Sequence, residues 1–458
     1  MKKTLHPITV CSFLLLLTLQ GCNFLDKKPD QKLELPDQIQ DLQALLDDDK
    51  FINQSDPATL EICADSYYLQ DADYMGLTAY DQQKYIWGTS SVFEPGTNNI
   101  WATLYRMVYT SNVVLYELNR LKRTLGDETA WDICRGSALF IRAKTFQQLA
   151  WIWAAAYDES NATNTPAIPL RLDISLEEPL IRSSLQRTYD QIIHDFTEAI
   201  TLLPIYPTHV IQPSQAAAYG WLSRTYLSMG RYAQALSNAN QCLALHSALL
   251  DYNSINPNAQ TPFSSYRPEE IIYHSTLKAK SVIALKSKVD SVLYQSYLPN
   301  DLRKKCLFYQ TGANQYRFKG SYAGTTAYYL PFNGIATDEL YLVRAECLAR
   351  INDVPGALSS LNELLQNRYA HDGSFIGHVA ATSEEALVLI LTERKKELYF
   401  RGVRWMDIKR LNQAGAGIGL TRVLQGHSYS LPANDTRFVL PIPEDVTLAT
   451  GLEAENPE

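Results

Sequence analysis

The sequence predicts an all-α, mainly helical fold: a tetratricopeptide-repeat superhelix carrying long irregular loops and a few short strands. Three observations point to it. Residues 213–245 place Tyr219, Leu222, Ser223, Tyr226, Gly230, Tyr232, Ala235, Ala239 and Cys242 at the offsets of one helix–turn–helix repeat. Residues 338–368 carry a second copy through Tyr341, Ala345, Leu348, Ala357 and Leu361. The stretches 158–184 and 247–333 lack that period, and loops of such length inside a compact domain are usually functional. Composition agrees with a folded chain, since 46% of the 458 residues are hydrophobic and 20% are charged.

In chain order, Lys2 and Lys3 precede an apolar run at 8–19, followed by Gln20-Gly21-Cys22. The run is too short to cross a bilayer as a helix, which needs about 20 residues, so it reads as an export signal. A cysteine directly after a small residue at its end resembles a bacterial lipobox. Residues 1–21 are therefore expected to be a lipoprotein signal peptide, Cys22 the acylated N-terminus, 22–36 a polar tether and 37–458 one domain.

Repeat helices are expected over about 98–157, 186–246, 336–369 and 383–412, with loop-rich insertions over about 50–97, 247–335 and 413–458. Blocks 98–125 and 136–157 keep the helical period; in the second, Leu139, Ala143, Phe146, Leu149 and Trp153 form one stripe. Block 186–203 is amphipathic through Tyr189, Ile192, Phe196 and Ile200. Small Ser223 and Ala235 let the helices of the first repeat approach, while Tyr219 and Tyr226 fill the space around them. The turn of the second repeat carries Asn352-Asp353 in place of glycine, residue types that accept left-handed and turn conformations. The last long helix opens on a capping box, Thr382 with Glu385, and runs to about Leu411 with a break at Gly402. Within it Glu397 and Arg401 are spaced to pair across one turn.

Several chemistries are missing. A formal charge of −8 argues against a nucleic-acid surface. Beyond Cys22 the downstream cysteines, Cys63, Cys134, Cys242, Cys306 and Cys347, are odd in number and far apart, which suggests neither a disulfide framework nor a metal site. Ser275-Thr276-Leu277-Lys278 matches a serine–lysine nucleophile pattern without the motifs that accompany it. Gly415-Ala416-Gly417-Ile418-Gly419 follows a helix where a dinucleotide loop follows a strand. Asp47-Asp48-Asp49 reads as a solvated turn. No catalytic residue, metal ligand or cofactor is assigned, although a carboxylate pair assembled from distant loops stays open.

Tyrosine outnumbers phenylalanine by 28 to 14, and ten of the tyrosines lie in two windows, 67–87 and 309–329. At this point the motifs resemble a family. The lipobox followed by Asn23-Phe24-Leu25-Asp26-Lys27-Lys28-Pro29 resembles the mature start of SusD/RagB nutrient-binding lipoproteins. So do Trp101, Tyr105 and Asn112, Asp301-Leu302-Arg303 with Phe318-Lys319-Gly320, and Glu393-Arg394-Lys395-Lys396-Glu397-Leu398 leading through Gly402, Arg404, Trp405 and Asp407 to Arg410. The end, Leu440-Pro441-Ile442-Pro443 with Asn456-Pro457, is similar as well; Arg401 departs, standing where the family usually has an acidic residue.

The resemblance implies a non-catalytic lid, lipid-anchored in the outer membrane and facing outward. Such a lid captures an oligosaccharide or peptide and delivers it to a SusC-type TonB-dependent transporter. A surface hydrolase on a helical frame and a tetratricopeptide scaffold without small ligand are the alternatives. Sugar rings present apolar faces that stack on aromatic side chains. The expected ligand contacts are therefore aromatics outside the repeats: Tyr67, Tyr68, Tyr74, Trp87, Tyr309, Tyr316 and Tyr322.

Overall fold

The computed structural model describes residues 38–452 except 98, 176, 264–268, 279, 281 and 325–329. The expected signal peptide, Cys22, the tether, Tyr328 and Tyr329 lie outside the described residues. The frame consists of α1 (Ile100–Leu121), α2 (Glu128–Trp153), α3 (Leu185–Leu202), α4 (Gln215–Ser228), α5 (Tyr232–Leu245), α6 (Thr337–Arg350), α7 (Val354–Gln366), α8 (Ser383–Glu397) and α9 (Arg404–Gln413). Each of α1 to α7 packs on the next, and α6 also packs on α8, so one core runs through the stack as in a repeat protein.

The repeats are built as their spacing predicts. Gly230 turns the first at φ +71° and Asn352 the second at φ +66°. Ser223 Oγ donates to the Ala235 carbonyl at 2.8 Å, which is the close approach that small residues permit. The Cys242 thiol is buried and donates to the Ala216 carbonyl. The second helix begins eight residues before the expected 136 and stops at Trp153, short of 157. Its first two turns are partly exposed, which hid them from a pattern of buried residues. Lys409 Nζ donates to the Trp151 and Ala154 carbonyls at its far end, at 3.0 and 2.6 Å. Burial pushes that ammonium down to about 7.

Outside the frame the strands are short and form antiparallel pairs. These are β1 (Tyr67–Tyr68) with β5 (Lys288–Val289), β2 (Pro166–Pro169) with β3 (Arg182–Ser184), β4 (Ile271–Tyr273) with β8 (Ile335–Ala336), β6 (Phe308–Gly312) with β7 (Gln315–Phe318), and β9 (Leu420–Leu424) with β10 (His427–Leu431). A second core, rich in aromatic side chains, lies beneath β1, β5, β6 and β7.

The segment from α8 to α9 joins the two cores. The helical stretch is broken around Gly402, as the sequence suggests, into two helices, with Phe400 at φ +57° and Gly402 at φ +71° between them. A Cβ on Gly402 would lie 2.3 Å from Asn333 Oδ1, so the chain can pass only with glycine there. The break also removes the expected Glu397–Arg401 pair, since the i,i+4 geometry ends with the helix. Glu397 instead accepts from Arg303 Nη1 at 2.9 Å and from Arg368 Nε at 2.7 Å. Arg401 donates to Asp338 at 2.9 Å.

The same network continues outward. Arg303 also holds Asp301 at 2.7 Å and Glu393 at 2.5 Å, and Arg368 also holds Glu270 at 2.6 Å. Arg404 and Lys395 both reach Asp65, next to β1, at 2.7 and 2.9 Å. Burial pushes the Asp65 carboxyl up, but these two cations outweigh it and hold it well below the usual carboxylate range. The Gly402 amide donates to Glu61 Oε1 at 2.6 Å, and burial raises that carboxyl to about 8.

Removing one partner of a buried ion pair strands the others. Arg303→Met is therefore expected to lower the free energy of unfolding by about 3–5 kcal/mol in urea titration. Folded Glu61 keeps its proton to about pH 8, whereas the ordinary value is 4.5, so its stabilisation is complete below pH 4.5 and is lost as pH rises to 8. Relative to Glu61→Gln, the native protein should lose up to about 1.4 kcal/mol per pH unit across that window and nothing further above it.

Candidate functional site

The loop-rich side presents tyrosines on short, pinned elements. In β1 successive side chains face opposite ways. Tyr67 points inward, 4% exposed, with its hydroxyl donating to the Ile62 carbonyl at 2.9 Å. Tyr68 points outward and is half-buried, paired across the strands with Lys288. β6 and β7 turn at Asn314, φ +57°, and place Gln310 opposite Tyr316 and Tyr309 opposite Arg317. Tyr316 and Tyr309 therefore lie on opposite faces of the hairpin.

Tyr316 meets a partner the sequence did not suggest. Its ring stacks on that of Tyr294 with centroids 3.6 Å apart and planes 14° from parallel. Lys304 Nζ sits 4.9 Å from the Tyr294 centroid, a cation–π contact, while donating to the Tyr297 carbonyl. Partial burial and the neighbouring phenol raise the Tyr294 hydroxyl above its ordinary value. Both rings keep part of their surface in solvent. Tyr294 lies in the short helix Ser291–Ser296, between the two tyrosine-rich windows, so local density could not reveal it. Nearby, Lys286 closes the π-helical turn Val282–Lys286 onto the Asp73 carbonyl at 3.0 Å. That turn leaves Leu285 56% exposed.

The other expected contacts face inward. Trp87 has φ +57°, is 1% exposed and donates from Nε1 to the Cys63 carbonyl at 2.9 Å. The Arg422 guanidinium lies over both Tyr85 and Trp87, 3.6 and 4.6 Å from their ring centres. Tyr74 is buried against Tyr85, and Tyr322 is buried with its hydroxyl 2.7 Å from that of Tyr252. Tyr67, Tyr74, Trp87 and Tyr322 thus face the interior, leaving Tyr68, Tyr316 and Tyr309 nearer the surface; of these, Tyr316 has a ring partner among the described residues.

Glu270, Asp338 and Glu397 bring carboxylate oxygens within 4.8 Å of one another, close enough to hold a metal ion. Those oxygens already accept from Arg368, Arg303, Arg401 and the amides of Leu250 and Glu339. The cluster is the centre of the ion network, and guanidinium groups occupy the positions a cation would take. Ser275 and Thr276, from the serine–lysine pattern, are buried where the chain bridges to Phe332.

Residues 23–227 match a family model described as starch-binding and associating with the outer membrane, and residues 337–445 match a model of the SusD family. No curated protein matches in sequence. Among solved structures, the chain is similar to a putative sugar binding protein from Bacteroides vulgatus, with 19% identity and a TM-score of 0.73 over 91% of this chain and 97% of that one. It is similar to a SusD superfamily protein from Bacteroides thetaiotaomicron, with 17% identity and a TM-score of 0.73 over 92% and 100%. A SusD-like carbohydrate binding protein from Bacteroides vulgatus follows at 18% identity and a TM-score of 0.68 over 92% and 98%. At these identities the likeness establishes the fold.

The buried and the solvent-reaching aromatic residues should respond differently to truncation. Trp87→Ala is expected to cost about 3–5 kcal/mol of stability in urea titration, as a large buried aromatic does. Tyr316→Ala should cost no more than about 1.5 kcal/mol, the value of one aromatic pair.

Proposed function

We propose, because the chain belongs to the SusD/RagB family, that it is a lipid-anchored nutrient-binding protein of the outer membrane, facing the cell exterior and acylated at Cys22. It captures an oligosaccharide and hands it to a SusC-type TonB-dependent transporter. The observation that carries the sugar reading is the solvent-reaching stack of Tyr294 and Tyr316, with Tyr68 on β1 joined to it through β5, which packs on β7. Flat rings of this kind match the apolar faces of pyranoses, and the half-buried Lys304 beside Tyr294 offers a donor to hydroxyls. Sugar-binding names among proteins of the same fold support the same ligand class.

Binding without turnover is the reading the charged groups favour. The cluster of Glu270, Asp338 and Glu397 is buried and bonded to arginine side chains, which suits packing and not proton transfer to a substrate. No helix among the described residues is long and apolar enough to cross a membrane. The proposed membrane attachment therefore rests on the acyl chains, and two or more such chains suffice for stable anchoring.

The test is calorimetry of the soluble form lacking residues 1–22 against neutral oligosaccharides, malto-oligosaccharides included, and against peptides. Saturable binding of a glycan is expected, with Tyr316→Ala and Tyr68→Ala each weakening it by roughly three- to tenfold, the equivalent of about 0.5–1.5 kcal/mol. Peptide binding with no glycan binding would replace the ligand class, and unchanged affinity in both variants would remove the site. Cys22→Ser should release the otherwise membrane-bound protein from the cell envelope fraction.

A further inference from the structure

A cavity of about 610 Å³ lies away from the Tyr294–Tyr316 stack, between α1, residues 171–175 and 178–180, and the helix α10 (Glu444–Thr450). We infer that this groove is a second binding site, for a neutral glycan; the inference rests on the sugar-binding reading above. Its volume falls within the ~300–1,000 Å³ typical of small-ligand sites.

One wall is aromatic. Trp101, Tyr105 and Tyr109 follow one another at i, i+4 and i+8 on α1, so they share a face and are spaced about 6 Å apart along the axis. Trp101 is buried and supports Tyr105, with centroids 4.7 Å apart. The Tyr105 hydroxyl donates to the Pro169 carbonyl at 2.8 Å, so this residue offers the groove its ring. Tyr109 is 40% exposed.

The facing wall is preformed. Asn112 Nδ2 donates to the Arg171 and Asp173 carbonyls, both at 3.0 Å, and its Oδ1 accepts from Arg142. Arg171 in turn donates to the carbonyls of Ser175 and Glu178 and so braces its own loop.

Two polar atoms of the lining are unmatched among the described residues. Asn99 is 2% exposed; its Oδ1 caps α1 by accepting from the Ala102 amide at 2.8 Å, while its Nδ2 has no hydrogen-bond partner. Asp445 accepts from the Gly96 amide at 2.6 Å through Oδ2, while Oδ1 has no partner. An unmet buried polar atom costs about 1–3 kcal/mol. A ligand carrying hydroxyls, each both donor and acceptor, can satisfy a free donor and a free acceptor together.

The charge balance narrows the class. Asp173, Glu178 and Asp445 stand against Arg171 alone, so an anionic ligand is disfavoured. The walls are helices and a loop with no strand edge, the feature by which extended peptides are commonly held. A ring face with hydroxyls around its rim fits both the aromatic wall and the unmatched atoms. Two sites on one chain would let a long glycan engage both, raising its apparent affinity without new contacts.

The test is crystallography and calorimetry on the soluble form with maltohexaose, cellohexaose, xylohexaose and mannohexaose in turn. A sugar ring against Tyr109, with an oxygen in hydrogen-bond range of Asn99 Nδ2 or Asp445 Oδ1, is expected for at least one of them. In calorimetry with that sugar, the double variant Tyr109→Ala, Asp445→Asn should lower the stoichiometry from two to one and leave the Tyr316 site intact. Density only at the Tyr294–Tyr316 stack, or a stoichiometry unmoved by the double variant, overturns the groove and spares the proposed function. Density at neither site with any of the sugars overturns both.

Discussion

Glu397 is the residue on which the architecture turns. Each of its oxygens receives a different guanidinium, Arg303 from the loop-rich side and Arg368 from the end of α7. All three side chains are shut away from water. A buried carboxylate without partners is unstable, and a buried arginine without partners is equally so. The two segments can therefore dock on α8 in one arrangement only, the one that brings both guanidinium groups to the same carboxylate. Aspartates and glutamates further out, Asp301, Glu393 and Glu270, extend the same requirement to their own segments.

The break after α8 is part of this constraint. Had the helix continued, Arg401 would lie over Glu397 on the same face and compete for it. The reversal through Phe400 and Gly402 sends Arg401 to Asp338 on α6 and points the Gly402 amide at Glu61. Just beyond it, Arg404 reaches back to Asp65 beside β1. Six residues of irregular backbone thus connect the repeat frame to both tyrosine-bearing regions. A face of short strands and turns has little rigidity of its own, since two-stranded pairs are marginal in isolation. Its order is borrowed from this network and from the aromatic core beneath it.

The repeat frame was largely legible because the information is local: small residues at 223 and 235, a turn glycine at 230, an asparagine accepting positive φ at 352. The signature from Glu393 to Arg410 was legible as a family pattern. Most of its pairings were not, because apart from the local contacts of Lys396 with Glu393 and of Arg394 and Arg410 with Asp407 the partners come from distant segments, and the local i,i+4 rule gave Arg401 to the wrong acid. The tyrosine windows marked the right regions but could not separate inside from outside. Tyr67 and Tyr68 are neighbours in sequence and face opposite ways, a distinction set by pairing with β5. Trp87 was drawn inward by Arg422 and by the Cys63 carbonyl, neither visible nearby in the chain. Tyr294 required knowing how the hairpin folds back. The groove draws its aromatic wall from family residues on α1, yet its cavity exists only because residues 171–175 and 178–180 and the helix α10 close around them.

The claim that the buried ion network orders the ligand-side face is tested most directly by hydrogen exchange in Glu397→Gln. That change keeps the side chain's shape and one acceptor oxygen, sets an amide NH2 against the other guanidinium, and removes the charge that the two arginines share. The account predicts faster amide exchange in residues 308–318 and 288–297, with the α4–α5 repeat unchanged. Unchanged protection of the hairpin, or a uniform rise across the whole chain, would contradict it.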